Sequence, residues 1–295
     1  HAAAIARLIN GYTKLNRQRT PEMLEPDTFS LVHYREAERM LTAWHELVTS
    51  AEAIPAGLPA SAHDAFFQLV LYPVKASAVV HELYVAAGFN RLYAMQGRAT
   101  SASEQAAKVR ALWSEDRALV EQYHALNGGK WNHQMSQINM GYTYWQSPPV
   151  EVMPAISETR PNAGPEPALA IEGDPFGRPR WGTRPPVLPS IDRIRQNTRW
   201  VELFNRGDTA YTFTVTSEQP WLRVTPANGT VESTTRLEVG ADWTNVPAEA
   251  RDASLLIETN AGARFRVGVT IANIAPASSG VPPGRYDLVL QLYEQ

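Results

Sequence analysis

The stretch FFQLVLYPVKASAVVHELYVAAGFNRLYAM, residues 66–95, decides the fold of the first half of this chain. Its apolar residues predict one long helix, and the spacing of Ser61 and Asp64 just before it resembles a capping box. Pro73 lies inside the predicted helix, where its ring would clash with the carbonyl of Leu69 and its missing N–H would remove a hydrogen bond. We therefore expect a kink there.

Further amphipathic stripes lie on both sides of this helix, beginning with one over residues 5–15. Ser101 and Glu104 have the spacing of a second capping box, and the run Asn127-Gly128-Gly129 is typical of a helix end. Helices joined by short loops bury their stripes against each other, so residues 1–147 are predicted to form an antiparallel helical bundle. The stripes consist of Tyr34, Ala37, Leu41, Trp44, Val48 and Ala51, and of Val109, Leu112, Trp113, Leu119, Val120 and Tyr123.

The composition and the periodicity both change after residue 147. Residues 147–190 hold 11 of the 22 prolines, which favours an extended, semi-rigid Pro-rich linker over residues 148–190. From 191 to 273 apolar and polar residues alternate, with turn signals such as Asn228-Gly229 and Asn260-Ala261-Gly262 between the runs, which predicts an immunoglobulin-like β-sandwich. Residues 274–295 contain one more alternating run, either a strand of the sandwich or a remnant of another β domain.

Composition excludes several classes of function. The 295 residues predict about two domains, and the net charge of −3 gives no case for nucleic-acid binding. No apolar run approaches the ~18 residues that cross a bilayer, so no membrane partner is expected. The chain has no cysteine and no phosphate-binding loop, and the neighbours His81 and Glu82 point to different faces of a helix, so neither a metal nor a cofactor is predicted. The first residue is His1, and an amphipathic stripe follows directly, which suggests the C-terminal part of a longer protein.

Residues 130–146, KWNHQMSQINMGYTYWQ, form the aromatic segment, the stretch that suggests a binding site. Flat rings beside hydrogen-bonding groups suit a sugar, which has an apolar C–H face and a rim of hydroxyls. The alternative is packing against the bundle or against another domain, which is the commoner role for such clusters. No catalytic residue is predicted, since the carboxylates Glu115, Asp116 and Glu121 are expected to lie on solvated helix faces. The candidate residues for carbohydrate or domain contact are Trp131, His133, Tyr142, Tyr144 and Trp145.

Four stretches in this order resemble glycoside hydrolase family 115, the xylan α-1,2-glucuronidases. Together they cover roughly residues 1–273. Ser136 stands where we expect an aspartate in such a segment, and Asn139 where we expect a histidine, so charged contacts there would be replaced by weaker neutral hydrogen bonds. The stretches are GYTKLNRQRTPEML at 11–24, YPVKASAVVHELYVAAGFNRLYA at 72–94, KWNHQMSQINMGYTYWQSPP at 130–149, and TRWVELFNRGD from 198 with ADW at 241–243.

The resemblance implies a function for a parent enzyme. Such enzymes remove 4-O-methyl-glucuronic acid side chains from glucuronoxylan, and their catalytic carboxylates belong to a TIM barrel that has no counterpart in this sequence. We expect a non-catalytic bundle-and-sandwich region, inactive alone, whose bundle packs on the barrel of a secreted or periplasmic hydrolase. A homodimer is a further expectation. The rival hypothesis is a free-standing carbohydrate-binding or interaction module without enzymatic activity.

Overall fold

A computed structural model describes residues 1–144, 146–177 and 185–273. Helices precede the strands, so the predicted order of a helical bundle and a β-sandwich is confirmed. The predicted tail, residues 274–295, lies outside the described residues. The helices are α1 (Ala2–Asn16), α2 (Glu36–Glu52), α3 (His63–Phe66), α4 (Tyr72–Gln96) and α5 (Ala99–Gly129), and the strands are β1 (Pro167–Ile171), β2 (Val187–Asp192), β3 (Arg199–Asn205), β4 (Tyr211–Ser217), β5 (Leu222–Thr225), β6 (Asn228–Val231), β7 (Thr234–Ala241), β8 (Asp252–Thr259) and β9 (Arg264–Ala272).

Helix α4 is the centre of the bundle and is buried on nearly all sides. Its Leu83 and the Trp44 side chain of α2 are fully buried in the same core. The long helix predicted over residues 66–95 is interrupted by a π-helical turn, Phe67–Leu71, and Pro73 then falls in the first turn of α4. The helical backbone is continuous through this point, since the N–H of Tyr72 donates to the carbonyl of Phe67. Pro73 therefore follows a π-helical turn, one of the features at which helices depart from regular i→i−4 bonding.

Several predicted helix boundaries are wrong. Neither Ser61 nor Asp64 caps α3, which begins without a side-chain hydrogen bond at its N-terminus. Ser101 lies inside α5, where its hydroxyl contacts the Thr234 hydroxyl of the sandwich at 3.1 Å. Tyr34 precedes α2 with a φ of 55°, and its side chain is exposed instead of joining the stripe.

The predicted end of α5 is confirmed. Asn127 and Gly128 have left-handed φ values of 51° and 65°, which break the helix at the predicted Asn-Gly-Gly run. The chain leaves the helix there and enters the aromatic segment.

The strands form two sheets around one core, in the orders β1-β3-β7-β5 and β2-β9-β8-β4-β6. Strand β1, from within residues 148–190, pairs antiparallel with β3 at a sheet edge, where prolines are tolerated. Strands β2 and β9 pair in parallel, whereas the other paired strands are antiparallel. The turn expected at Asn260-Ala261-Gly262 joins β8 to β9, whereas Asn228-Gly229 lies in β6, opposite β4.

The bundle packs on the sandwich through a polar interface. Arg98, only 2% exposed, donates to Glu202 at 2.7 Å and to the Thr234 hydroxyl at 2.9 Å. Its guanidinium also lies over the rings of Tyr93 and Phe204, 4.1 and 4.6 Å from their centroids. A buried charge that is both paired and stacked fixes one relative geometry of its neighbours.

In contrast to the expectation from sequence, the segment Ala60–Gln96 is long and apolar enough to cross a membrane by length and composition alone. In this structure 67% of its most apolar window is buried inside the protein. The core helix of a soluble protein passes the same test, so the segment is weak evidence for a membrane span.

Candidate functional site

The aromatic segment folds back over the bundle after α5 ends. Met140 is fully buried in the bundle core. The N–H of Gly141 donates to the Tyr84 hydroxyl of α4 at 3.3 Å, and the N–H of Met135 donates to His124 Nε2 of α5 at 3.2 Å. These contacts fix the segment on α4 and α5.

The predicted candidates at the start of the segment have different environments. Trp131 is half-buried against the bundle core, with the Lys130 ammonium 4.9 Å from its ring centroid. His133 is exposed, has a φ of 66°, and lies with its ring 6.0 Å from the ring of His124. Trp131 therefore packs, whereas the imidazole of His133 is open to solvent.

The candidates at the end of the segment border an open depression, the tyrosine cleft. Tyr142 is half-buried and donates its hydroxyl to the carbonyl of Ile138 at 2.9 Å. Tyr144 is 61% exposed and donates to Gln146 at 3.0 Å. Trp145 lies outside the described residues. The tyrosine cleft has a volume of about 510 Å³ and is lined by Arg19, Glu22, Met23, Glu25, Gln137, Tyr142, Thr143, Tyr144 and Ser147.

A second depression, the central cleft, shares Glu22 and Gln137 with the tyrosine cleft. Three stretches that resemble the glucuronidase family meet in its walls, although they are far apart in sequence. Residues 11–24 contribute Tyr12 and residues 72–94 contribute Tyr72, while the aromatic segment forms a third wall. The central cleft has a volume of about 420 Å³ and is lined by Tyr12, Pro21, Glu22, Gln68, Tyr72, Pro73, Ala76, Ser77, Val80, Val120, Gln134, Met135, Gln137, Ile138, Asn139 and Glu151.

Asp116 of α5 lies beneath the aromatic segment and is only 1% exposed, so the prediction that it is solvated is wrong. Its Oδ1 accepts a hydrogen bond of 3.1 Å from the side-chain amide of Asn139, the residue found where a histidine is expected. Burial raises the pKa of Asp116 to about 6, and the nearby Glu151 carboxylate adds to the increase. The sequence did contain a signal, because Asp116 falls in the apolar stripe between Leu112 and Leu119.

Hydroxyl and amide groups continue from Asp116 toward the central cleft. The rings of Tyr72 and Tyr123 lie 4.8 Å apart, and the Gln68 amide donates to the Tyr123 hydroxyl at 2.8 Å. Burial raises the pKa of Tyr72 to about 12, an effect that the charge of Asp116 reinforces. The Tyr72 hydroxyl therefore stays protonated near neutral pH and remains a hydrogen-bond donor.

The chemistry available at these clefts is hydrogen bonding and ring contact. Within residues 1–144, 146–177 and 185–273 no group of three or more histidine, aspartate or glutamate side chains is placed to hold a metal ion. Glu151, on the rim, is held by Arg117 at 3.3 Å. The arrangement offers amides, hydroxyls and aromatic faces together, which are the groups that contact polyhydroxylated molecules.

No protein-family profile and no curated protein matches this chain. Among solved structures, one similar chain is a 4-O-methyl-α-glucuronidase of family GH115 with specificity for decorated arabinogalactans. It is 15% identical, with a TM-score of 0.31, over 80% of this chain and 33% of its own length. This chain thus spans about a third of that enzyme.

The sandwich region is similar to smaller β proteins. The periplasmic chaperone SfaE is 12% identical over 39% of this chain and 60% of its own length, with a TM-score of 0.27. A PapD-like domain of human CEP192 is 14% identical over 43% of this chain and 100% of its own length, with a TM-score of 0.23. None of these likenesses assigns a function.

Proposed function

We propose that this chain is the non-catalytic bundle-and-sandwich region of a carbohydrate-active enzyme similar to the α-glucuronidases of glycoside hydrolase family 115. In this proposal the bundle packs against a catalytic TIM barrel that removes 4-O-methyl-glucuronic acid from glucuronoxylan outside the cytoplasm. The chain supplies a rigid support and part of the polysaccharide-binding surface, and by itself it is inactive.

The observation that carries the proposal is the meeting of three family-like stretches at the central cleft. Residues 11–24, 72–94 and 130–149 resemble the family separately, and nothing in their sequence separation requires them to be neighbours. Tyr12, Tyr72 and Gln137, one from each stretch, line the same depression. A shared binding or docking surface accounts for both the resemblance and the convergence.

The proposal is tested by the coding sequence upstream of His1 and by an activity assay. We expect the upstream region to encode a TIM barrel with an acidic active site. We also expect the 295-residue chain to release no methyl-glucuronic acid from glucuronoxylan. An upstream region without any barrel would overturn the proposal, and so would release of the uronic acid by this chain alone.

The exposed Tyr144 supports a second candidate function, a free-standing carbohydrate-binding module. An aromatic ring that is 61% exposed beside an open cleft can stack on a sugar without a partner domain. In that case the chain should bind xylan, and Tyr144→Ala should weaken binding by about tenfold, since rings at binding sites commonly contribute one to a few kcal/mol. Equal binding by the wild type and the variant would contradict this candidate.

A further inference from the structure

The described residues that line the central cleft include carboxylates but no cationic side chain. Among the described residues, its walls contain no lysine, arginine or histidine, whereas Glu22 and Glu151 both line it. Asp116 lies just behind Asn139 in the same wall. Arg117, outside the lining, pairs with Glu151 at 3.3 Å. An anionic ligand such as a uronate would meet the Glu22 carboxylate with no cation among the described lining residues to attract it, which disfavours its binding.

The remaining polar groups of the central cleft suit an uncharged polyol. Gln134 and Gln137 each carry a side-chain amide donor and acceptor, and the alternating donors and acceptors of sugar hydroxyls require both. Tyr12 and Tyr72 add aromatic rings to the lining. This combination matches the apolar face and the hydroxyl rim of a neutral sugar ring.

One hydrogen-bond acceptor beside the central cleft, on Asn139, has no donor among the described residues. The Oδ1 of Asn139 is buried and has no hydrogen-bond partner among the residues that the structure describes. The Nδ2 of the same amide is committed to Asp116, so the side chain cannot rotate to solvent without losing that bond. A buried acceptor without a partner costs free energy, and a ligand hydroxyl that reached it would remove the cost.

Unlike the described lining of the central cleft, the lining of the tyrosine cleft has an arginine. Arg19 lines it, with the guanidinium Nε donating to the carbonyl of Met23 at 2.9 Å. A guanidinium has further N–H donors that can bind a carboxylate. The cation thus lies beside the central cleft and outside its walls.

We infer that the central cleft binds uncharged sugar units of the polysaccharide main chain and excludes the glucuronic acid side group. This inference rests on the proposed function and assigns it a substrate class, a neutral polyhydroxylated chain. The amides of Gln134, Gln137 and Asn139 form the hydrogen bonds, and the tyrosine rings contact the apolar sugar faces.

The test is a titration of the ¹⁵N-labelled 295-residue chain, followed by NMR of the side-chain amides. The probes are linear xylohexaose and free glucuronic acid. Xylohexaose is expected to shift the amide resonances of the central cleft, and glucuronic acid is expected to leave them unchanged. The double variant Gln134→Ala/Gln137→Ala should lower the affinity for xylohexaose about tenfold, since it removes two hydrogen bonds of about 1 kcal/mol or less each.

Both glutamines are exposed, so their removal leaves the core intact. The matched control is Gln122→Ala, an exposed glutamine of α5 outside the cleft, and it should bind like the wild type. Stronger shifts with glucuronic acid, no response to xylohexaose, or equal affinity in the double variant would each overturn the inference. None of these results bears on the upstream barrel, which tests the proposed function separately.

Discussion

Replacing Asp116 by asparagine should stabilise the protein at neutral pH. Asp116 is 1% exposed, and burial, the largest cause, raises its pKa from 3.8 to about 6. A raised pKa means that the folded state holds the proton more tightly than the unfolded chain does. The protonated carboxyl therefore adds to the free energy of unfolding fully below pH 3.8, and this contribution is lost as the pH rises through about 6.

The size of the effect follows from the two pKa values. The difference between 3.8 and about 6 corresponds to about 3 kcal/mol of unfolding free energy, fully lost above roughly pH 7. An asparagine resembles the protonated carboxyl in shape, keeps an acceptor for Asn139 and has no charge to desolvate. Asp116→Asn should therefore gain up to about 3 kcal/mol at roughly pH 8 and little at roughly pH 4.

Urea unfolding, followed by the far-UV circular dichroism of the helices, measures this gain at both pH values. The control is Glu115→Gln, which makes the same change of charge at the neighbouring but exposed position of α5. We expect this control to change the free energy of unfolding by less than about 0.5 kcal/mol at either pH. The reasoning is refuted if Asp116→Asn gains no stability at the higher pH, or if its effect is the same at both.

Three further predictions follow from buried or exposed groups. Arg98→Met should cost about 1.5–3 kcal/mol in urea unfolding, because it removes one of the two arginines that pair with the buried Glu202, while Arg236 stays 3.0 Å from the other carboxylate oxygen. Arg98→Met/Glu202→Met should recover part of that loss. Burial lowers the pKa of His81, so stability should rise with pH from that lowered value to 6.5 and be flat above it. In His81→Phe this dependence on His81 should disappear from thermal unfolding curves recorded across that range. Tyr144→Phe should retain any xylan affinity that Tyr144→Ala loses in depletion assays, since the ring and not the hydroxyl stacks; equal losses would contradict stacking.

The sequence was enough to single out the aromatic segment, but it did not show which of its residues pack in the core and which are exposed. Aromatic and amide residues within residues 130–146 indicated a surface for sugars or for another domain. Whether Trp131 packs and Tyr144 stays exposed depends on the path of the chain after α5, which local spacing does not specify. That path is fixed by contacts with residues distant in sequence, such as the hydrogen bond from Gly141 to Tyr84.

Local sequence patterns also failed to predict where two of the helices begin. Capping pairs at Ser61 and Ser101 had the right spacing, yet neither forms a cap. Ser101 contacts Thr234 of the sandwich instead, and Arg98, the residue before α5, pairs with Glu202 of the sandwich. Tertiary contacts can outweigh a cap, which contributes only about 1 kcal/mol.

The sequence by itself determined the order of the bundle and the sandwich, because the hydrophobic period changes from that of a helix to that of a strand and each period leaves one kind of face to bury. Only the tertiary structure decided which polar groups meet. Asp116 is buried because the aromatic segment covers α5, and its pKa rises because water is excluded there. The central cleft exists because three distant stretches pack together, a consequence of long-range burial that no local pattern encodes.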